Sequence, residues 1–132
     1  MAEPKKPTTK KKKQKRSVPS AQVHIQATTN NTIISFTDTK GNLLCASSAG
    51  SCGFRGSKKS TAYAAQIAAE EVSNTARNQF GVSKADVFVK GIGLGRDSAI
   101  RALQNVDIMV SSIADVTPIK HGGTRPPKAR RV

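Results

Sequence analysis

The polar and apolar positions divide most of the chain into five short strand-like runs and two longer helical ones. Gln22-Val23-His24-Ile25-Gln26-Ala27-Thr28 alternates polar with apolar, which predicts a strand with one buried face. Asn30 and Asn31 follow; adjacent asparagines tolerate positive φ and suit a tight hairpin turn. Thr32-Ile33-Ile34-Ser35-Phe36-Thr37 is rich in β-branched and aromatic residues and predicts a second strand. After the turn cluster from Asp38 to Asn42, Leu43 to Ser48 predicts a third. Three strands joined by short turns make an antiparallel meander.

The period then changes. From Ala62 to Phe80, residues Ala65, Ala68, Ala69, Val72, Ala76 and Phe80 recur every three or four positions, one apolar helical stripe. Its small side chains let the helix approach a sheet closely. Ser57 or Ser60 can cap its start, and Gly81 can stop it. Ala85 to Lys90 predicts a fourth strand. A short helix runs from a cap at Asp97 or Ser98 to about Gln104, with Ile100 and Leu103 inward, and Ile108 to Ile113 predicts a fifth strand. The order β-β-β-α-β-α-β predicts an α/β fold: a three-layer sandwich around one mixed five-stranded sheet, the meander first and crossover helices after it.

Charge changes this picture at both ends. The formal net charge is +14. Residues 1–17 hold Lys5, Lys6, Lys10, Lys11, Lys12, Lys13, Lys15 and Arg16 against Glu3 alone. Residues 120–132 hold Lys120, Arg125, Lys128, Arg130 and Arg131 with no acid. A nearly neutral unit over residues 18–119 therefore carries a basic N-terminal arm, 1–17, and a basic tail, 120–132. Such arms repel themselves and bury no core, so they are expected to be disordered alone. Beside a polyanion each Lys or Arg can neutralise a phosphate and release counterions. Nucleic acid is the partner this implies.

Other classes lose ground. The only aromatic rings besides the histidines are Phe36, Phe54, Phe80, Phe88 and Tyr63, which argues against a single-strand binder built on stacking platforms. No apolar run approaches the roughly 18 residues that span a bilayer. The N-terminal lysines precede no apolar stretch, so no secretory leader is expected, and no amphipathic anchor accompanies the arm. Cys45 and Cys52 form neither a disulfide framework nor a metal-ligand spacing. Cys45 is expected as a small buried hydrophobe.

Two glycine-rich segments could carry chemistry. Gly50-Ser51-Cys52-Gly53-Phe54-Arg55-Gly56-Ser57-Lys58-Lys59 precedes the first helix. Gly91-Ile92-Gly93-Leu94-Gly95-Arg96 leaves a strand and enters a helix, where unpaired N–H groups welcome an anion and Arg96 offers a planar fork to phosphate oxygens. Neither matches the dinucleotide fingerprint or the Walker loop. In an α/β unit both loops should emerge at one edge of the sheet. An enzyme is not expected: the only histidines are His24 and His121, and the first strand has none of the carboxylates that a metal-dependent nuclease would place there. Glu70 and Glu71 read as a solvated helix face. No cofactor and no metal are expected.

Four separated motifs then make a resemblance. They are Asn30-Asn31-Thr32-Ile33; Gly53-Phe54-Arg55-Gly56-Ser57-Lys58-Lys59-Ser60-Thr61 with Tyr63-Ala64-Ala65-Gln66; Gly91-x-Gly93-x-Gly95-Arg96-Asp97-Ser98-Ala99-Ile100-Arg101-Ala102-Leu103; and Asp115-Val116-Thr117-Pro118-Ile119 with Arg125-Pro126-Pro127-Lys128. Over residues 18–132 the chain resembles the small-subunit ribosomal protein S-eleven family of bacterial or organellar type. The resemblance implies a ribonuclease-H-like domain that lacks that enzyme's carboxylates. It implies a structural constituent of the small ribosomal subunit, binding 16S-type ribosomal RNA on the platform near the messenger exit path and supporting assembly and translation. The implied neighbours are platform proteins of the S-six, S-seven, S-eighteen and S-twenty-one types, with messenger RNA nearby, no membrane and no homo-oligomer.

The implied location is the ribosome in a bacterial cytoplasm, or in an organelle. The absence of an Arg/Ser-rich leader favours a bacterial or chloroplast-encoded chain over an imported one. By position, the family's RNA-contacting segments fall on Arg55, Gly56, Ser57, Lys58 and Lys59, on Gly91, Gly93, Gly95 and Arg96, and on the tail with His121, Arg125, Lys128, Arg130 and Arg131; Lys120, just before that tail, is a further candidate. Asn30, Asn31, Lys10, Lys11, Lys12, Lys13, Lys15 and Arg16 complete the candidate RNA-binding set. The chain departs from the family pattern at Ile92 and Lys120, where Pro is usual, at Asp107, where Gly is usual, and at Gly122-Gly123-Thr124, where Asn-Gly-Cys is usual.

Overall fold

The computed structural model describes residues 17–132. The basic residues Lys10, Lys11, Lys12, Lys13, Lys15 and Arg16 lie outside the described residues. Strands β1 (Ser20–Ala27), β2 (Thr32–Thr37) and β3 (Leu43–Ser48) come first. A 3-10 turn (Gly56–Ser60), helix α1 (Ala62–Phe80), strand β4 (Lys84–Lys90), helix α2 (Gly95–Asn105) and strand β5 (Met109–Asp115) follow. They form one five-stranded sheet in the order β3-β2-β1-β4-β5. β1 pairs antiparallel with β2 and parallel with β4, β2 pairs antiparallel with β3, and β4 pairs parallel with β5. The element order, the mixed sheet and the α/β class are those expected, consistent with a ribonuclease-H-like fold.

The layer count differs from the expectation. There are two layers among the described residues, because both helices lie on one face. α1 packs on α2, β2 and β3, while α2 packs on α1, β1 and β5. The crossovers into β4 and into β5 step the same way across the sheet, and crossovers of one hand that step the same way place their helices on the same face. Strand alternation records this. Ala21, Val23, Ile25 and Ala27 of β1 are buried against the helices, whereas Gln22, His24 and Gln26 face outward and are half-buried or exposed. On the open face His24 stacks on its register partner Phe88, with ring centroids 5.3 Å apart. Burial and the nearby Lys90 lower the His24 pKa.

The core joins Val23, Ile25, Ile34, Phe36, Val87 and Val89 to Ala68, Ala69, Val72, Ala76, Ala99, Ala102 and Leu103. Alanines dominate the helix side, so α1 lies close to the sheet; a larger residue at Ala68 or Ala69 would overpack by about 1–3 kcal/mol. The cap of α1 is Thr61, not Ser57 or Ser60. Its hydroxyl accepts from the Ala64 N–H at 3.2 Å, because the 3-10 turn consumes the preceding residues. Gly81, at φ 66°, ends the helix as expected. α2 starts earlier than expected, at Gly95, with Leu94 in the cap position and no side-chain cap; Asp97 lies inside its first turn. Asp107 takes the glycine role after α2 at φ 61°, and Arg77 reaches it at 3.5 Å.

Candidate ribonucleic-acid interface

Strand direction gathers the candidate segments. β3, β4 and β5 run the same way as β1, so the C-terminal ends of all four lie at one edge of the sheet. The 28–31 turn, the 49–61 segment, the 91–94 segment and the tail from 116 all leave from that edge. They also touch. A Cβ on Gly50 would lie 3.6 Å from Cδ of Lys59 and 3.9 Å from Nδ2 of Asn31. The Ala49 N–H donates to the Thr32 carbonyl at 3.2 Å.

The hairpin turn is not built on left-handed asparagines; among the described residues only Asp107 has positive φ without being glycine. Thr28 closes the turn instead. Its hydroxyl accepts the Asn31 N–H at 3.0 Å and the Asn30 N–H at 3.3 Å, and its own N–H donates to the Asn31 carbonyl at 2.9 Å. The Asn31 side chain accepts the Thr32 N–H at 2.8 Å, and Asn30 remains exposed.

In the 49–61 segment, Arg55, Gly56, Ser57 and Lys58 are exposed and Lys59 is half-buried. No salt bridge engages Arg55, Lys58 or Lys59 among the described residues. The second glycine-rich segment is different. A Cβ on Gly91 would stand 2.1 Å from the Ala27 carbonyl oxygen, one on Gly93 2.7 Å from the Thr28 carbonyl oxygen, and one on Gly95 2.3 Å from Oγ1 of Thr32 and 2.6 Å from Cβ of Ala65. The backbone lies flat on the β1–β2 hairpin, so the hairpin fills the inner side where a nucleotide cradle would need space. Ile92 and Leu94 project outward, 79% and 76% exposed.

Arg96 does not present a free fork. Its guanidinium donates to the Gly91 carbonyl at 3.0 Å and to Oδ2 of Asp115 at 2.9 Å. Oδ1 of Asp115 accepts the Thr117 N–H at 3.0 Å and the Thr117 hydroxyl, and that hydroxyl accepts the Gly91 N–H at 3.1 Å. Gly91, Arg96, Asp115 and Thr117 thus form a closed ring that ties the loop to the exit of the tail. The Thr117 hydrogen bonds, then Arg96, hold the Asp115 carboxyl at a pKa of about 2. Beyond the ring, Lys120, His121, Arg125, Lys128, Arg130 and Arg131 are exposed and lie in no helix or strand.

Asp115, Thr117 and Tyr63 stand in the family motifs but not in the candidate RNA-binding set. Asp115-Val116-Thr117 carries a legible side-chain turn signal, but its pairing with Arg96 and Gly91 depends on the fold. The exposure of Tyr63 follows only from the placement of α1. Both cysteines are half-buried and free. Burial pushes half-buried Cys45 up to about 11, where its thiol faces the Val72 carbonyl. Burial, then the hydrogen bond to Glu71 at 2.7 Å, raises Cys52. Among the described residues, no group of His, Cys, Asp and Glu could hold a metal ion, and no helix is long and apolar enough to cross a membrane.

Comparison with known proteins names this arrangement. A family model described as Ribosomal protein S11 matches residues 21–131. The chain belongs to the ribosomal protein S11 family. A protein of Hydrogenovibrio crunogenus named small ribosomal subunit protein uS11 is 55% identical over 122 residues, covering 92% of this chain and 94% of its own length. A protein of the same name from Borreliella burgdorferi is 54% identical, covering 95% of each chain. One from Nitratidesulfovibrio vulgaris is 52% identical over 132 residues and covers both chains fully. The S11 family is one of structural ribosomal proteins, not enzymes. The resemblance carried by the four motifs is therefore borne out.

Proposed function

We propose that this S11-family chain is a structural constituent of the small ribosomal subunit that binds small-subunit, 16S-type ribosomal RNA through the C-terminal edge of its sheet. The observation that carries the proposal is the convergence of the 28–31 turn, the 49–61 segment, the 91–96 segment and the basic tail at that single edge. Arg55, Lys58 and Lys59 offer unpaired charge to backbone phosphates. Gly91, Gly93 and Gly95 hold the second loop flat, and Arg96 fixes the direction in which the tail leaves. Residues 1–17 and 120–132 act as basic extensions that follow RNA grooves and neutralise phosphates. The finer placement is the subunit platform near the messenger exit path, beside proteins of the S-six, S-seven, S-eighteen and S-twenty-one types. The particle would be cytoplasmic in a bacterium.

If about eight phosphates are neutralised, log affinity for 16S-type RNA should fall against log salt with a slope of roughly −6 to −7. A sucrose gradient of cell extract, followed by mass spectrometry, tests the assignment. Co-migration with the small subunit at moderate and high salt is expected. Finding the protein free at the top of the gradient at moderate salt would overturn the proposal in favour of a general polyanion binder.

A further inference from the structure

Tyr63 is the second residue of α1 and is 63% exposed. It meets Phe54 edge to face, with ring centroids 5.9 Å apart and planes at 83°. A perpendicular contact of this kind covers at most one face of the tyrosine ring. The half-buried Phe54 packs on the ring, and at 63% exposure most of the tyrosine is left to solvent. The ring borders a segment whose exposed charges are cationic, Arg55 and Lys58. The start of α1 abuts the second glycine-rich loop, because Gly95 lies against Ala65, and Leu94 next to it is also exposed. An anchored, uncovered aromatic face beside unpaired cations matches the chemistry of an unpaired nucleotide, whose base is a flat π surface and whose phosphate is an anion.

We propose that Tyr63 is a base-stacking residue: its free face receives an unpaired nucleobase of the RNA while Arg55 and Lys58 hold the adjoining phosphates. This rests on the RNA-binding reading above and assigns the part of that interface that charge cannot supply. It also qualifies the argument from aromatic scarcity. One anchored ring does not make a single-strand binding platform, but it can select one splayed base within a folded RNA.

The test uses the full chain and a 16S-type RNA transcript. The protein has one tyrosine and no tryptophan, so Y63W introduces a single indole that can be excited where RNA absorbs little. Tyr63→Trp and Tyr63→Phe should bind as tightly as the wild type, and the Y63W emission should be quenched on binding. Tyr63→Leu, apolar but without a π face, should lose about tenfold in affinity with its salt slope and melting temperature unchanged. Arg55→Ala with Lys58→Ala should do the reverse, weakening binding while flattening the slope. An unquenched Y63W, or a Tyr63→Leu variant that binds normally, would overturn the stacking role and leave the electrostatic reading standing. Normal RNA affinity with failed subunit assembly in Tyr63→Leu would also overturn it, since the ring would then face a protein neighbour. A wild type that does not bind the transcript would overturn both.

Discussion

The two glycine-rich loops differ in the room they leave around their glycines. In the first, Gly53 at φ 96° and Gly56 at φ 59° have open space where a Cβ would stand. They are needed for a backbone conformation. In the second, Gly91, Gly93 and Gly95 have no room for a side chain, because the hairpin, joined by Ala65 of α1 at Gly95, fills that space; Gly91, at φ 87°, needs the left-handed backbone as well. The charges divide the same way. Arg55 and Lys58 stand exposed and unpaired, whereas Arg96 is spent on Gly91 and Asp115. One loop presents charge, and the other sets geometry. A glycine-rich, basic stretch is therefore not one kind of site.

The sharpest way to break this contrast is Gly91→Ala. Its Cβ would fall on a backbone oxygen at a positive φ, so the fold should lose about 3 kcal/mol or more. That is a drop of over ten degrees in melting temperature for a unit this size. A normal melt would show that the loop does not depend on its contact with the hairpin. The next largest effect should come from replacing Arg55, Lys58 and Lys59 together by Ala. Stability should stay within about 0.5 kcal/mol, while the salt slope of RNA binding shrinks by about 2 to 3 if each cation meets a phosphate. An unchanged slope would mean that these cations are bystanders.

Gly56→Ala isolates conformation from space and should cost about 1 kcal/mol, the left-handed penalty alone, measured by denaturant titration. A loss as large as that of Gly91→Ala would erase the distinction between the loops. The smallest effect concerns the ring around Asp115. Its carboxyl pKa lies below the ordinary carboxylate range, at about 2 in the folded chain. Its contribution to stability is therefore fully present above about pH 4 and lost as pH falls through 2. Asp115→Asn should be less stable than the wild type at neutral pH, with the gap closing over that window in acid-unfolding curves. A gap independent of pH would show that the carboxylate's charge does not hold the ring.

The strands, both helices and the Gly81 stop were legible because each rests on local periodicity or on a residue whose backbone preference is intrinsic. The third layer was misjudged because alternation shows that a strand has one buried face but not whether a second helix covers the other. The Asn30-Asn31 turn was located correctly and explained wrongly. The Thr28 hydroxyl, an ordinary residue at the end of a strand, bonds the turn without left-handed backbone. Arg96 was found as a candidate and given the wrong geometry, since its partners lie 5 and 19 positions away and meet it only across the sheet edge.

Composition and pattern suffice for the element order, the segregation of charge to the ends, and the four motifs that mark the S11 family, because all of these are written in residues close together in the chain. The direction of β3 and β5 relative to β1, the single helical face, the packed glycines and the uncovered face of Tyr63 depend on which distant segments come to lie against one another. Those contacts are set by the sense of the crossovers and by the fit of alanine-lined α1 to the sheet. Both belong to the folded chain as a whole, and no short window of sequence contains them.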